Sequence, residues 1–406
     1  MLVDTDVIII GAGPAGLTAA KNLAKNNIEY ILIDRDENPG EDKPCGGFIP
    51  ASTLKVFSIP QIDGQYEIDS VRMKFPGKKL VRIPFENPLG VNVSRGELAR
   101  ALIQSIPDHD NKILFGTEVN RVETGSRSCT VSITSKGEFN SLTSKLVIDA
   151  SGANPVSLRF IPIRERIPNT GMGYGLQYHI EMDGELDNSN TFLYGGKYSP
   201  SGYCWIFPRG HIIVVGTGGL VERVRKSDRK AHEYLDFVLE EVEPFSSELR
   251  GGRIVKKDSA LMPLCGITKP SFGKRILLAG DAAGHCSPIS GEGIHYSMVG
   301  GQKAATAAMQ CIRKNDYTES MLARYEKQWI SDIGSDLTWG LWLQRKLMRP
   351  GSERTSGWSS SGFIDSEKSQ KIIAEMLAGR RSVRSAILAV APSYLSSRLH
   401  RGKKKS

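Results

Sequence analysis

Residues 6–34, DVIIIGAGPAGLTAAKNLAKNNIEYILID, constrain this chain more than any other stretch. Val7, Ile8, Ile9 and Ile10 form an unbroken β-branched run, which predicts a strand buried on both faces. Gly11, Gly13 and Gly16 follow at once in GxGxxG spacing, residues 17–25 predict a helix, and residues 30–33 predict a second buried strand that closes on Asp34. Each part has a physical task. Gly11 allows a tight turn. Gly13, lacking Cβ, lets a pyrophosphate approach the backbone. Gly16 lets helix and strand pack closely, and the helix N-terminus offers free N–H groups and partial positive charge. Asp34 is placed to bind both ribose hydroxyls. A lone GxGxxG is weak, but strand, glycines, helix, strand and acid in this order predict a dinucleotide site rather than a ligand-free turn.

The chain has 406 residues, enough for roughly two or three domains and a large core. No apolar run approaches the roughly 20 residues of a membrane-spanning helix. The N-terminus runs straight into the first strand, so a cytoplasmic protein without a signal segment is expected. The net charge is +9 and much of it lies late, in Arg380, Arg381, Arg384, Arg398, Arg401, Lys403, Lys404 and Lys405. Such an excess suits an anionic surface or a solvated tail. The six cysteines have no metal-ligand spacing; they predict free thiols and no metal site.

Residues 36–44 form a polar loop that delivers Cys45-Gly46-Gly47. The two glycines serve either a turn or close approach to a planar ligand, and Cys45 is either a working thiol or an inert one. Residues 66–83 alternate around Pro76-Gly77 and predict an antiparallel hairpin. Ser94 and Glu97 predict a capping box that opens a helix, with Arg95 in its first turn as a candidate anion or ribose ligand. Residues 113–119 and 130–133 read as strands, and 144–150 as another buried one, followed by Ser151-Gly152. Alternation returns over 173–180, 192–194, 203–207 and 211–216, which predicts a second, antiparallel sheet. Residues 222–243 predict a charged, solvated surface helix, and 252–262 a further strand. Residues 276–281 give a buried strand ending in Gly280-Asp281, and Pro288 to Ile294 a glycine-bearing loop that opens a long helix. Helices are also predicted over 325–349, 366–377 and 382–399, around a Ser/Gly-rich stretch at 351–362; for the crowded apolar residues from Ala386 to Leu395, core packing is favoured over membrane contact.

GxGxxG from Gly11, the acid Asp34, Arg95 at a helix start, DASG from Asp149 and Gly280-Asp281 together resemble flavoproteins of the p-hydroxybenzoate hydroxylase fold. Pro44-Cys45-Gly46-Gly47, and the PxxYxWxFP pattern from Pro200 to Pro208, resemble the geranylgeranyl reductases. The likeness covers the first 330 residues or so. It implies a mixed α/β fold. Residues 1–65, 91–155 and 270–320 would form a discontinuous Rossmann-like FAD-binding domain, 66–90 and 156–269 an inserted antiparallel-sheet substrate domain, and 321–406 a C-terminal helical region with a basic tail. It implies FAD, with adenosine near Asp34 and Val119, and pyrophosphate at Gly13, Ala15 and Gly16. Arg95 and Asp281 would hold the ribityl-diphosphate region, and Cys45, Gly46, Gly47, Gly293 and Ile294 would border the isoalloxazine.

The implied activity is saturation of geranylgeranyl double bonds, on archaeal-type (di)geranylgeranylglycerol phospholipids, with geranylgeranyl diphosphate or chlorophyll-type substrates as the alternative. An isolated prenyl alkene has no carbonyl to stabilise a carbanion. Hydride delivery must therefore be coupled to protonation in a dry, apolar site. Tyr203, Trp205 and Phe207 alternate along a strand, so they share one face and wall such a site. Cys45 is the candidate for positioning the alkene or relaying the proton. The electron donor is NADPH, ferredoxin or another reduced carrier; peripheral membrane association is expected, and nucleic acid is not. An aromatic-ring monooxygenase on the same fold, and a non-enzymatic flavin carrier, are the rivals.

Overall fold

The computed structural model describes residues 3–107, 112–347 and 366–391. Its central layer is an eight-stranded sheet. Ile276–Leu278, Glu138–Asp149, Thr5–Ile10, Tyr30–Ile33 and Ile113–Leu114 run parallel side by side. Val7, Ile8 and Ile9 are fully buried, which is why an unbroken apolar run suits this middle strand. The helix Pro14–Ala24 crosses over between Thr5–Ile10 and Tyr30–Ile33 and begins three residues before the predicted start, because Pro14 fits the first helical turn. It packs against the long helix Ile294–Lys314, whose Gly301 sits hard on the Ala15 carbonyl. The predicted strand at 113–119 is two strands: Ile113–Leu114 joins the parallel sheet, and Thr117–Thr124 pairs antiparallel with Cys129–Ser135.

A seven-stranded sheet forms the second layer, in the order Arg253–Pro263, Met172–Glu181, Ile212–Leu220, Tyr203–Arg209, Ser189–Tyr194, Ser70–Lys74 and Val81–Pro84. It is antiparallel except where Ser189–Tyr194 runs parallel to Ser70–Lys74. The predicted hairpin is thus shorter than expected. Tyr66–Ile68 leaves it to join a three-stranded sheet with Gly90–Asn92 and Phe48–Pro50.

The predicted solvated helix over 222–243 is corrected on two counts. It is broken into Val221–Lys226 and Ala231–Glu241, and the second piece is no free surface helix. Leu235 and Val238 are fully buried with Val242 and Phe245 against the outer face of the seven-stranded sheet. Their helical spacing gives an apolar stripe that the surrounding charges conceal in a reading by composition.

Ser94 accepts the Glu97 N–H at 3.1 Å and Glu97 accepts the Ser94 N–H at 2.9 Å, the predicted capping box, which fixes the start of the helix Arg95–Gln104. Near the C-terminus, Glu319–Leu347 is one long helix starting earlier than predicted. The helix Glu367–Leu377 buries Ile373 and Ala374 among Phe75, Phe192 and Phe207, so its apolar face is core. Residues 383–391 are helical; the remainder of that predicted helix, the Ser/Gly-rich stretch and the basic residues from Arg398 onward lie outside the described residues.

Candidate functional site

The carboxyl edge of the parallel strands faces the aromatic side of the seven-stranded sheet across a cleft of about 720 Å³. Gly11, Gly13, Ala15, Asp34, Cys45, Gly46, Gly47, Arg95, Val119, Asp281, Gly293 and Ile294 all line it, and Tyr203, Trp205 and Phe207 form part of its opposite wall. Segments more than 250 positions apart in the sequence therefore meet in one space, as the two glycine-and-aspartate signals predict.

The glycine-rich turn fits a diphosphate. Gly11 has φ +101°, and a Cβ there would lie 2.5 Å from the Ala150 carbonyl oxygen. Gly13 is the opposite case, with nothing within 4 Å of its Cβ position. The backbone is thus bare at Gly13, at the start of a helix that has no side-chain cap and no acid in its first turn. Gly16 alone of the predicted set does not line the cleft. Its Cβ would meet the Gly11 carbonyl oxygen at 1.9 Å, so its work is to seat the helix on the turn. The Asp34 carboxylate accepts the Ala12 N–H at the turn and the Asp36 N–H at 2.9 Å, which holds it at the strand end facing the cleft.

The two glycines of the Cys45 loop are each hemmed in by a different kind of neighbour. Gly47 has φ +89° with the Val93 carbonyl oxygen 2.0 Å from its Cβ position, so it serves the backbone. Gly46 serves packing: a Cβ there would meet the Phe207 ring at 2.7 Å. Cys45 is half-buried and free, as are the other five cysteines in being unbridged. Across the cleft, Trp205 lies flat on Gly216, whose Cβ position is 2.1 Å from the indole. Phe192, Tyr194, Tyr203, Trp205 and Phe207 form a continuous run of ring contacts, with centroids 5.3 Å apart between Phe192 and Phe207 and 5.9 Å between Tyr203 and Trp205. The Tyr203 hydroxyl donates to the Ser290 carbonyl and so ties this wall to the loop opening the helix Ile294–Lys314.

Electrostatics follow from burial. Asp281 is pushed up to about 6 by desolvation, which Arg95 and Lys43 partly oppose. Glu292 is pushed up to about 7 by burial, although its Oε1 accepts the His295 N–H at 2.8 Å. Burial also raises the Cys286 thiol well above its ordinary value, so it is an inert neighbour.

Several site residues escape the sequence reading. Asp149 is fully buried; it accepts the Ser151 N–H at 3.0 Å and the Ser157 N–H at 2.8 Å and so shapes the turn that meets Gly11. The DASG motif marks this acid only as part of a family resemblance, without a role. Lys43 reaches the cleft from a loop, and Arg159 from the single 3-10 turn Ser157–Arg159, both too short to show periodicity. Gln177 and Met262 line it from strands whose alternation marked them only as facing one side.

Comparison with known proteins places this geometry. Residues 4–328 match the model of the FAD binding domain family. A geranylgeranyl diphosphate reductase of Rhodobacter capsulatus is 32% identical over 79% of this chain and 78% of that protein. Digeranylgeranylglycerophospholipid reductase 3 of Methanosphaera stadtmanae is 29% identical over 82% of this chain and 84% of its own length. A geranylgeranyl bacteriochlorophyll reductase-like protein of Thermoplasma acidophilum, of known crystal structure, has the same fold with a TM-score of 0.84 at 22% identity, covering 97% of each chain. The cleft lined by Gly13, Asp34 and the aromatic wall thus belongs to an FAD-dependent oxidoreductase, and the chain is a member of the geranylgeranyl reductase family of FAD-binding proteins.

Proposed function

We propose that this protein saturates the double bonds of geranylgeranyl chains carried on archaeal-type digeranylgeranylglycerol phospholipids. The observation that carries the reading is the aromatic wall, Phe192, Tyr203, Trp205 and Phe207, lining the cleft and backed by Tyr194. Such a wall binds a long unsaturated chain by apolar contact alone and asks for no polar handle near the reacting bond. Relatives named for these phospholipids recur among the similar proteins, which supports the lipid class. Free geranylgeranyl diphosphate is the second reading, favoured by the 32% identity to the Rhodobacter capsulatus enzyme.

Gly11, Gly13, Ala15 and Gly16 would shape the diphosphate seat, Asp34 and Val119 the adenosine end, and Arg95 and Asp281 the ribityl-diphosphate region. Cys45, Gly46, Gly47, Gly293 and Ile294 would border the reactive ring. FAD, when bound and reduced, supplies the hydride. The chain's own residues do the rest. Tyr203, Trp205 and Phe207 exclude water and hold the alkene against the cofactor. Cys45, half-buried at the cleft with an unbridged thiol, positions the alkene or passes a proton through its Sγ. Electrons come from NADPH, ferredoxin or another reduced carrier, and the protein works peripherally on a membrane surface from the cytoplasmic side.

The test is to incubate dithionite-reduced protein, wild type and Cys45→Ala, in detergent with the phospholipid and with geranylgeranyl diphosphate. Hydrogens gained are counted by mass spectrometry. Gain on the phospholipid in preference to the diphosphate is expected. Cys45→Ala should keep its flavin and lose turnover, by roughly a hundredfold if Sγ carries the proton. Preference for the diphosphate selects the second reading. No gain on either, with peroxide release on NADPH oxidation, selects a monooxygenase.

A further inference from the structure

We propose that the C-terminal end of the long helix Glu319–Leu347 is the face that docks this protein on an anionic bilayer, with Trp342 as its anchor. The proposal rests on the reading that the substrate is a membrane-borne lipid. No helix among the described residues is long and apolar enough to cross a membrane, so a lipid chain must be taken up from the bilayer surface.

The inner side of this helix end is already satisfied. Leu337 is fully buried, Leu341 packs on Gly266, and Gly340 lies on Pro288. Gln344 Nε2 donates to the Leu264 carbonyl at 3.2 Å and to the Pro288 carbonyl at 2.7 Å. The outer side is different in kind. Trp342 is 45% exposed; it meets Trp339 edge to face at 5.8 Å, and the Lys346 ammonium sits 5.8 Å from its ring centre. Arg345 is exposed beside it, and from Leu337 to Leu347 there is no acidic residue. A tryptophan pair flanked by cations at a helix end is the composition that settles at the boundary of headgroups and acyl chains. The cations supply the complementary charge for acidic lipid.

Position makes the surface useful. The two loops gripped by Gln344 are continuous with the rim of the cleft: Leu264 follows the strand Arg253–Pro263, whose Leu261 and Met262 line it, and Pro288 precedes Ser290 to Ile294, which line it too. Leu261 is itself 42% exposed. Docking through Trp342 would bring this rim to the bilayer, so that a prenyl chain passes from lipid to aromatic wall along Leu261 and Met262.

The experiment uses the full-length, flavin-loaded protein with vesicles of phosphatidylcholine alone and of phosphatidylcholine mixed with phosphatidylglycerol. Flotation should recover the wild type with the mixed vesicles and release it as salt rises. Brominated acyl chains should quench part of its tryptophan emission, and Trp342→Ala should lose that part. Arg345→Glu with Lys346→Glu should lower the partition coefficient roughly tenfold or more. Neutralising Lys403, Lys404 and Lys405 to Ser should change it less. Because the helix residues changed point outward, melting curves should match the wild type. The assignment is overturned by a wild type that does not float. It is equally overturned by helix variants that float and are quenched as the wild type is, by loss confined to the tail variant, or by light scattering in which Trp342→Ala splits an oligomer. Hydrogen gain in detergent reports the substrate reading separately. A protein active in detergent that ignores vesicles loses only the docking face, and one that floats but reduces no prenyl chain loses only the substrate.

Discussion

The two walls of the cleft both depend on glycine, but for opposite reasons. On the side of the parallel sheet, the atoms that exclude a side chain at Gly11, Gly16 and Gly47 are backbone. The Gly11 carbonyl blocks Gly16 at 1.9 Å, the Ala150 carbonyl blocks Gly11 at 2.5 Å, and the Val93 carbonyl blocks Gly47 at 2.0 Å. On the aromatic side the atoms blocking Gly216 and Gly175 are side chains: Trp205 over Gly216 at 2.1 Å, and Met262 and Trp205 around Gly175 at 3.3 and 3.4 Å. A carbonyl held in a sheet or turn cannot move without breaking its neighbours, whereas a ring can be shortened or exchanged. The wall on the parallel-sheet side is therefore fixed by the fold, and the aromatic wall can be re-cut by single substitutions without touching the glycine-rich turn.

The largest effect expected is at Gly16. Gly16→Ala should cost at least about 3 kcal/mol and yield colourless protein, since no second side-chain change can remove the Gly11 carbonyl. Flavin absorbance of the purified variant and its urea unfolding curve check this; a yellow, stable Gly16→Ala would break the contrast. Next is Gly216→Ala, which should cost roughly 1–3 kcal/mol in the native background and about 1 kcal/mol less when Trp205 is already Ala. A double-mutant cycle on stability reads the coupling directly, and strict additivity would place the obstruction in backbone after all. The smallest effect concerns charge in the cleft. Asp281 is raised to about 6 and Glu292 to about 7 by burial, so the folded chain binds these protons more tightly than the unfolded one. Their contribution to stability is fully present below the unfolded values near 4 and is lost as pH rises through about 6 and about 7. Water in the cleft trims the Asp281 share to the order of 1 kcal/mol. Asp281→Asn should flatten the stability of flavin-free protein between pH about 4 and 6, measured as the urea midpoint at each pH.

The same contrast explains what could be read without coordinates. The strand–glycine turn–helix–strand unit is legible because its requirements are local: a β-branched run, three glycines at fixed spacing and an acid at the next strand end are all near neighbours in sequence. The capping box of Ser94 and Glu97 was legible for the same reason. Gly216 was not, because its need comes from an indole on the neighbouring strand, and nothing at 216 itself announces Trp205. Leu235 and Val238 escape such a reading because apolar residues spaced among charges look solvated until a sheet is laid beneath them. Tyr66 left the predicted hairpin because alternation fixes which face a residue takes but not which strand it pairs with.

The seating of the strand Ile276–Leu278 beside Glu138–Asp149, itself next to Thr5–Ile10, carries a consequence for biogenesis. The first glycine turn is made early on the ribosome, yet its closing partner at Gly280-Asp281 and the loop from Pro288 emerge only after the whole aromatic layer has been synthesised. Sheet pairings this far apart in sequence form slowly. The nascent chain must therefore wait with an open half-seat, and yellow colour should appear only once translation has passed the helix Ile294–Lys314.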